Sequence, residues 1–316
     1  MYKRSLLAGV LLALALPGWA ELAYVSNEKS GSISIIDTDA QKVIGSISTG
    51  GRPRGLALSA DGKTLYVSDS KTSALLVIDA ATAQLRQRQP LPRAPEGMSL
   101  SRDGALLAIA LEEANEVALI DTRQPGQLRL VKTEGKNPEH VAFSPDGRWI
   151  YASAEDASQV DVIDIQQGKQ VASIEVGRRP RGIGFSPDGR QAYVACELDS
   201  KVFIIDVGSR KAVAALQAGE FSNGVSVAPD GARVYVSNGR AGTVSVLDTA
   251  SQQMAGTIEV GKRPWNMAIT GDGKLLLVAN GRSGSVSLID LGSGKRVADI
   301  EVDELPWGAA TRPAGK

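Results

Sequence analysis

Pro138-Glu139-His140-Val141-Ala142-Phe143-Ser144-Pro145-Asp146-Gly147, running on to Tyr151-Ala152-Ser153, decides the reading of this chain because it returns. Pro180-Arg181-Gly182-Ile183-Gly184-Phe185-Ser186-Pro187-Asp188-Gly189, followed by Tyr193-Val194-Ala195, repeats it, and looser copies begin at Pro53, Pro95, Ser222 and Pro264. The Asp-Gly pairs at Asp61, Asp103, Asp146, Asp188, Asp230 and Asp272 are spaced by 42, 43, 42, 42 and 42 residues. A constant step of this length marks an array of equal supersecondary units, none of which buries its apolar face alone.

Within each unit the pattern is that of strands. Leu22-Ala23-Tyr24-Val25-Ser26-Asn27 is a run of β-formers, Gly31-Ser32-Ile33-Ser34-Ile35-Ile36-Asp37 alternates with period two, and Lys42-Val43-Ile44-Gly45-Ser46-Ile47 is a third strand. These three lack the Pro-x-x strand that opens every other copy. Its counterpart stands at the far end of the chain as Pro306-Trp307-Gly308-Ala309-Ala310-Thr311. The two termini are therefore expected to share one unit, which closes the array and removes exposed sheet edges. The strand endings at Asp37, Asp79, Asp121, Asp164, Asp206, Asp248 and Asp290 count seven units. An all-β, seven-bladed propeller of four-stranded antiparallel blades is the expected fold, one domain over 21–316, with the Pro-x-x strand innermost.

Residues 1–20 read as a secretory signal: Lys3 and Arg4 precede the apolar run Leu6–Leu16, and Gly18-Trp19-Ala20 resembles a cleavage site. The run is too short to span a bilayer, so a periplasmic, exported chain is expected. Without the signal it carries 33 basic and 35 acidic groups, a balance that argues against a nucleic-acid partner. Cys196 is the single cysteine, which excludes an intrachain disulfide and leaves a buried inert thiol or a reactive one.

Several repeated residues have structural explanations. Pro-Asp-Gly at 145–147 and 187–189 supplies a fixed φ, a side-chain acceptor and a positive φ for a tight hairpin. The Asp ending each third strand is expected to accept from turn amides. Two outer strands deviate, one carrying Arg86, Arg88, Pro90, Pro92 and Arg93, the other following Thr122-Arg123-Gln124-Pro125-Gly126; both are expected to be short or bulged, as protected edges or as a contact surface.

Function is sought where the copies differ on one rim of the tunnel. The residue after the repeat Pro reads Arg54, Glu96, Glu139, Arg181, Asn223, Trp265 and Trp307 round the ring; the preceding position adds Arg52, Arg179 and Arg263, and the following one is Gly except at His140 and Asn266. Loops after the second strands, with Glu112, Glu155 and Glu197 among others, reach the same rim. Guanidinium groups suit carboxylate or phosphate, so the rim is either a site for a small anionic ligand or acidic partner, or a set of cross-blade Arg–Glu pairs. His140 is the only histidine, so a multi-histidine metal site is excluded and no metal is expected; beside Glu139 it is a general acid–base candidate, an axial ligand or a plain polar residue.

Tyr24-Val25-Ser26-Asn27, Tyr66-Val67-Ser68-Asp69, Tyr235-Val236-Ser237-Asn238 and Leu277-Val278-Ala279-Asn280, together with Ser-Pro-Asp-Gly, resemble the YVTN-repeat family of seven-bladed propellers over all of 21–316. Asn-Glu-Lys-Ser-Gly at 27–31 and the Arg-Pro-Arg-Gly pair resemble the periplasmic branch associated with pyrroloquinoline-quinone (PQQ)-dependent alcohol catabolism. That resemblance implies a non-catalytic accessory of a quinoprotein dehydrogenase and cytochrome c system, with PQQ or another small anion at the rim. The alternative is a propeller enzyme of lactonase or isomerase type, with His140 and Glu139 as acid and base and Arg54 or Arg181 on the oxyanion. Haem d1 binding, through the similarity of the family to the haem d1 propellers, and DNA binding are weaker alternatives.

Overall fold

The computed structural model describes residues 21–124 and 126–312. The signal reading of 1–20 lies outside the described residues. The described residues form seven four-stranded antiparallel sheets set as blades about an axis. In the blade built from the opening stretch, Pro138–Phe143 is innermost, followed outward by Trp149–Ala154, Gln159–Asp164 and Lys169–Glu175. We number the blades 1 to 7 by their second strands, so this one is blade 4. Blade 1 has the order Pro306–Thr311, Leu22–Asn27, Ser32–Asp37, Lys42–Ser48. The chain ends thus complete one sheet, with Tyr24 opposite Ala310 and Val25 opposite Ala309. The Glu21 carboxylate adds a bond from the Gly271 amide in blade 7.

The core lies between blades, in seven separate clusters and not at the axis. Val25 and Ile36 of blade 1 pack on Leu277 and Leu288 of blade 7, and Tyr151 and Val162 of blade 4 pack on Val194 and Ile205 of blade 5. Second strands alternate faces with both sides covered, which is why Tyr-Val-Ser-Asn and its variants are buried almost throughout. The Asp-Gly hairpins hold glycine at φ near +70°, as at Gly147 and Gly189 (70° and 71°). Every third-strand Asp accepts from a turn amide, for example Asp37 Oδ1 from Ala40 at 2.8 Å and Asp248 Oδ1 from Ser251 at 2.9 Å. The outer strand Leu128–Lys132 is short, whereas Gln84–Pro90 keeps the seven-residue length of its neighbours, with Pro90 at its end and a register shift between Val77 and Ile78 in its ladder. Cys196 is buried and free, and burial pushes its thiol up to about 12, the inert alternative. Among the described residues no helix is long and apolar enough to cross a membrane.

One irregularity positions the site. In six blades the register between the innermost and second strands skips the two residues after the opening residue; in blade 4, Pro138 pairs with Ala154 and the next pair is Val141 with Ala152. Glu139 and His140 therefore leave the ladder. The freed backbone groups are satisfied by the Ser of Tyr-Val-Ser-Asn: Ser68 Oγ accepts from Gly55 N (2.8 Å) and donates to Glu96 O of the next blade (2.6 Å), and Ser26 donates to Arg54 O (2.6 Å). Successive blades come so close here that a Cβ on Gly97 would stand 2.7 Å from Glu139 O.

Candidate functional site

The bulged residues converge on one mouth of the tunnel, in a cavity of about 250 Å3 lined by Arg54, Glu139, Arg181, Asn223, Trp265 and Trp307 from the seven-membered rim set. Arg52, Arg179 and Arg263 line it from the residue before, and Glu28, Glu112 and Glu155 from the loops. Glu96, the remaining rim residue, is 1% exposed and lies beneath Arg54. The structure thus brings all the sequence-derived rim residues together except His140, which lines a second cavity of about 210 Å3 on the other side of Trp307.

Of the two readings of the rim, the structure shows the cross-blade Arg–Glu pairs. Arg54 bonds Glu96 and lies 3.3 Å from Glu28 Oε1; Arg52 Nε donates to Glu28 Oε1 at 2.6 Å. Arg181 alone serves three acids: Glu139 Oε1 at 2.7 Å, Glu155 Oε2 at 2.8 Å and Glu197 Oε2 at 2.9 Å. Arg179 donates to Glu155 (2.6 Å) and Arg263 to Glu197 (2.9 Å). The rim is a paired network, largely buried around Arg54 and Arg181 and open to solvent at Arg52 and Arg179. Cation and acid are taken out of water together, since either alone would be strongly penalised.

Glu28, Glu112, Glu155 and Glu197 occupy one repeat offset, the residue immediately after the second strand. That shared offset is the signal by which the whole acid set, Glu28 included, is legible in the sequence. Blades 6 and 7 carry glycine there, and the reason is visible: a Cβ on Gly281 would stand 2.7 Å from the Trp265 ring, and one on Gly239 3.2 Å from the Arg263 guanidinium. Acids fill one side of the mouth and the large rim side chains lie over glycine on the other.

Carboxyl oxygens of Glu96, Glu112 and Glu139 lie within 4.8 Å of one another. Burial, and then the charge of Glu139, push the Glu96 carboxyl up to about 9, while Glu112 is raised by burial and by the same neighbour. Burial also acts to raise Glu139, but Arg181 and the other nearby cations hold it below the ordinary glutamate value. The cluster therefore keeps a proton on Glu96 at neutral pH and leaves a carboxylate on Glu139. Three carboxyls of this spacing offer oxygen ligands to a hard cation, yet Arg54 and Arg181 already stand on two of them and supply the balancing charge.

A family model described as a lactonase, seven-bladed β-propeller, matches residues 166–297, and one described as a cytochrome d1 haem domain matches 101–206. No curated protein matches the chain. Among solved structures it is similar to hydrazine synthase of Kuenenia stuttgartiensis (TM-score 0.78, 23% identity, 90% of this chain and 99% of that one). It is also similar to a functionally unknown protein of Desulfotomaculum acetoxidans DSM 771 (TM-score 0.82, 18% identity, 93% and 99%). A third is the dihydro-haem d1 dehydrogenase NirN in complex with DHE (TM-score 0.71, 16% identity, 92% and 75%). At these identities the likeness is one of fold.

These findings correct the expectation of a non-catalytic quinoprotein accessory. The matching family models are those of a lactonase propeller and a haem d1 domain. The free cationic rim on which that reading rested is consumed by ion pairs. The same pairing bears on cofactors. The mouth cavity does not fit haem d1: 250 Å3 is below the ~300–1,000 Å3 of pockets for ligands of even drug size, and the only imidazole lies beneath the floor with Nε2 bonded to Asn266. A PQQ tricarboxylate meets the same acid cluster with every lining guanidinium engaged.

Proposed function

We propose that the mouth cavity is the active site of an enzyme of lactonase or isomerase type, and that its chemistry is carried by carboxyl groups. The observation that carries this reading is the Glu96–Glu112–Glu139 cluster, in which acid and carboxylate forms coexist under two guanidinium groups. The match of residues 166–297 to the lactonase propeller model supports it.

In lactone hydrolysis, Glu112, which faces the cavity with a carboxyl oxygen within 4.8 Å of those of Glu96 and Glu139, takes a proton from water as the water oxygen adds to the acyl carbon. Arg54 and Arg181, still paired with Glu96 and Glu139, stabilise the oxyanion through their positive charge and not by exchanging those partners. The ring carbon–oxygen bond then breaks, and the proton on Glu112 passes to the departing alkoxide, giving a hydroxy acid. Glu96, already protonated, keeps the cluster from accumulating a third negative charge. Trp265 and Trp307 supply flat apolar surfaces against which a small ring can lie.

The test is a pH-stat assay of the purified protein against a panel of γ- and δ-lactones, repeated with Glu112→Gln. Turnover of a panel member that drops by about 10²-fold or more in the variant is expected, the range typical of a lost general base. Turnover unchanged in Glu112→Gln, or none across the panel, overturns the assignment. The charged, apolar and small-residue order of residues 1–20 supports an exported location, which fractionation of cells expressing the full chain checks.

A further inference from the structure

The offset two residues after the opening residue reads Gly55, Gly97, His140, Gly182, Gly224, Asn266 and Gly308 round the ring. Only blades 4 and 7 place side chains there, and those two meet: His140 Nε2 lies 2.9 Å from Asn266 Oδ1 across the tunnel. The Asn266 amide nitrogen donates to Trp307 O at 3.2 Å, which turns its oxygen toward His140 and makes Nε2 the protonated ring nitrogen. Burial lowers the imidazole pKa and so favours the neutral ring. The ring stacks on Trp307 at 5.5 Å between centroids and 10° between planes, with the Arg54 guanidinium 5.7 Å from the centroid of the same indole. Trp307 borders both cavities, whereas Glu139 borders only the upper and His140 only the lower.

We infer that His140 and Asn266 form a crossbar that closes the axial tunnel and holds Trp307 as the floor of the mouth cavity. They are positioning residues, acting through the indole. The inference is independent of the reaction assigned to the cavity, since it rests on which side chains span the tunnel. Substrate and product then share the mouth as their one passage, and the chamber below is a separate compartment.

Two measurements test it. His140 is the only histidine, so its imidazole nitrogens give one assignable set of NMR signals in the full protein. The crossbar predicts the neutral Nε2–H tautomer with slow proton exchange, both lost in Asn266→Ala; an Nδ1–H tautomer, or exchange as fast as in free histidine, overturns it. In a Trp19→Phe, Trp149→Phe, Trp265→Phe background, which leaves Trp307 as the one indole, acrylamide quenching is expected to rise about twofold when His140→Gly opens the tunnel, because the indole face that the imidazole covers gains solvent. His140→Gln, which keeps a donor toward Asn266, is expected to preserve the low value. Five blades already carry glycine at this offset, so the opened variant is expected to fold. Equal quenching with and without the crossbar overturns the inference.

Discussion

A carboxyl group buried beside other carboxyls, as Glu96 is beneath Arg54, contributes a pH dependence of its own to the stability of this protein. The folded chain holds that proton up to about pH 9, whereas an unfolded glutamate releases it near 4.5. Between those values the native state binds the extra proton, so stability falls as pH rises. Glu96→Gln removes that contribution: its urea midpoint is expected to decline less than that of the parent between pH 5 and pH 9. Arg181 is the opposite case, one cation shared by three acids of which Glu139 and Glu197 are almost fully buried. Arg181→Ala takes from the buried Glu139 its ion-pair partner, while Arg179 and Arg263 still hold Glu155 and Glu197, and is expected to cost about 3–5 kcal/mol in denaturant unfolding. Arg181→Lys is expected to recover only part of it, since one ammonium does not reproduce the planar fork that reaches all three.

At the scale of the element, the bulge of the innermost strand does two things at once: it frees the rim side chains from the ladder and brings neighbouring backbones almost into contact. Gly97→Ala, whose Cβ would stand 2.7 Å from Glu139 O, is expected to destabilise by about 1–3 kcal/mol, as overpacking does. Gly256→Ala, in an outer strand with nothing within 4 Å, is expected to stay within about 0.5 kcal/mol of the parent, and thermal unfolding of the two variants checks the contrast. Strand identity was legible in the sequence because it rests on period-two patterning and on Asp-Gly turns, both local; each turn aspartate behaves as its spacing implies. The rim residues were legible as variable positions in a constant repeat. Their pairing was not, because whether Arg181 meets Glu139, Glu155 and Glu197 or faces solvent depends on how far the bulge swings each blade's first residues toward the axis. The separation of Glu139 from His140 has the same origin: adjacent residues in a bulge open to opposite sides of the Trp307 floor.

For the molecule as a whole, stability is a sum over neighbouring blades, with seven apolar clusters each shared by two sheets and none common to all. The junction of blades 7 and 1 is held by a strand from each terminus, so removing residues 305–316 takes away the innermost strand of blade 1 and bares the edge of Leu22–Asn27. That truncation is expected to replace a single cooperative transition by a broad one and to bring on association through the open edge, followed by circular dichroism and light scattering.

None of the seven rim side chains belongs to any of those clusters. The mouth can therefore be rewritten without disturbing what holds the ring, provided its charges are exchanged in couples: a guanidinium from the offset after the opening residue together with a glutamate from the offset after the second strand. Repurposing this scaffold is then a problem of choosing acid–base partners across adjacent blades, and libraries that randomise either offset alone will mostly yield stranded charges.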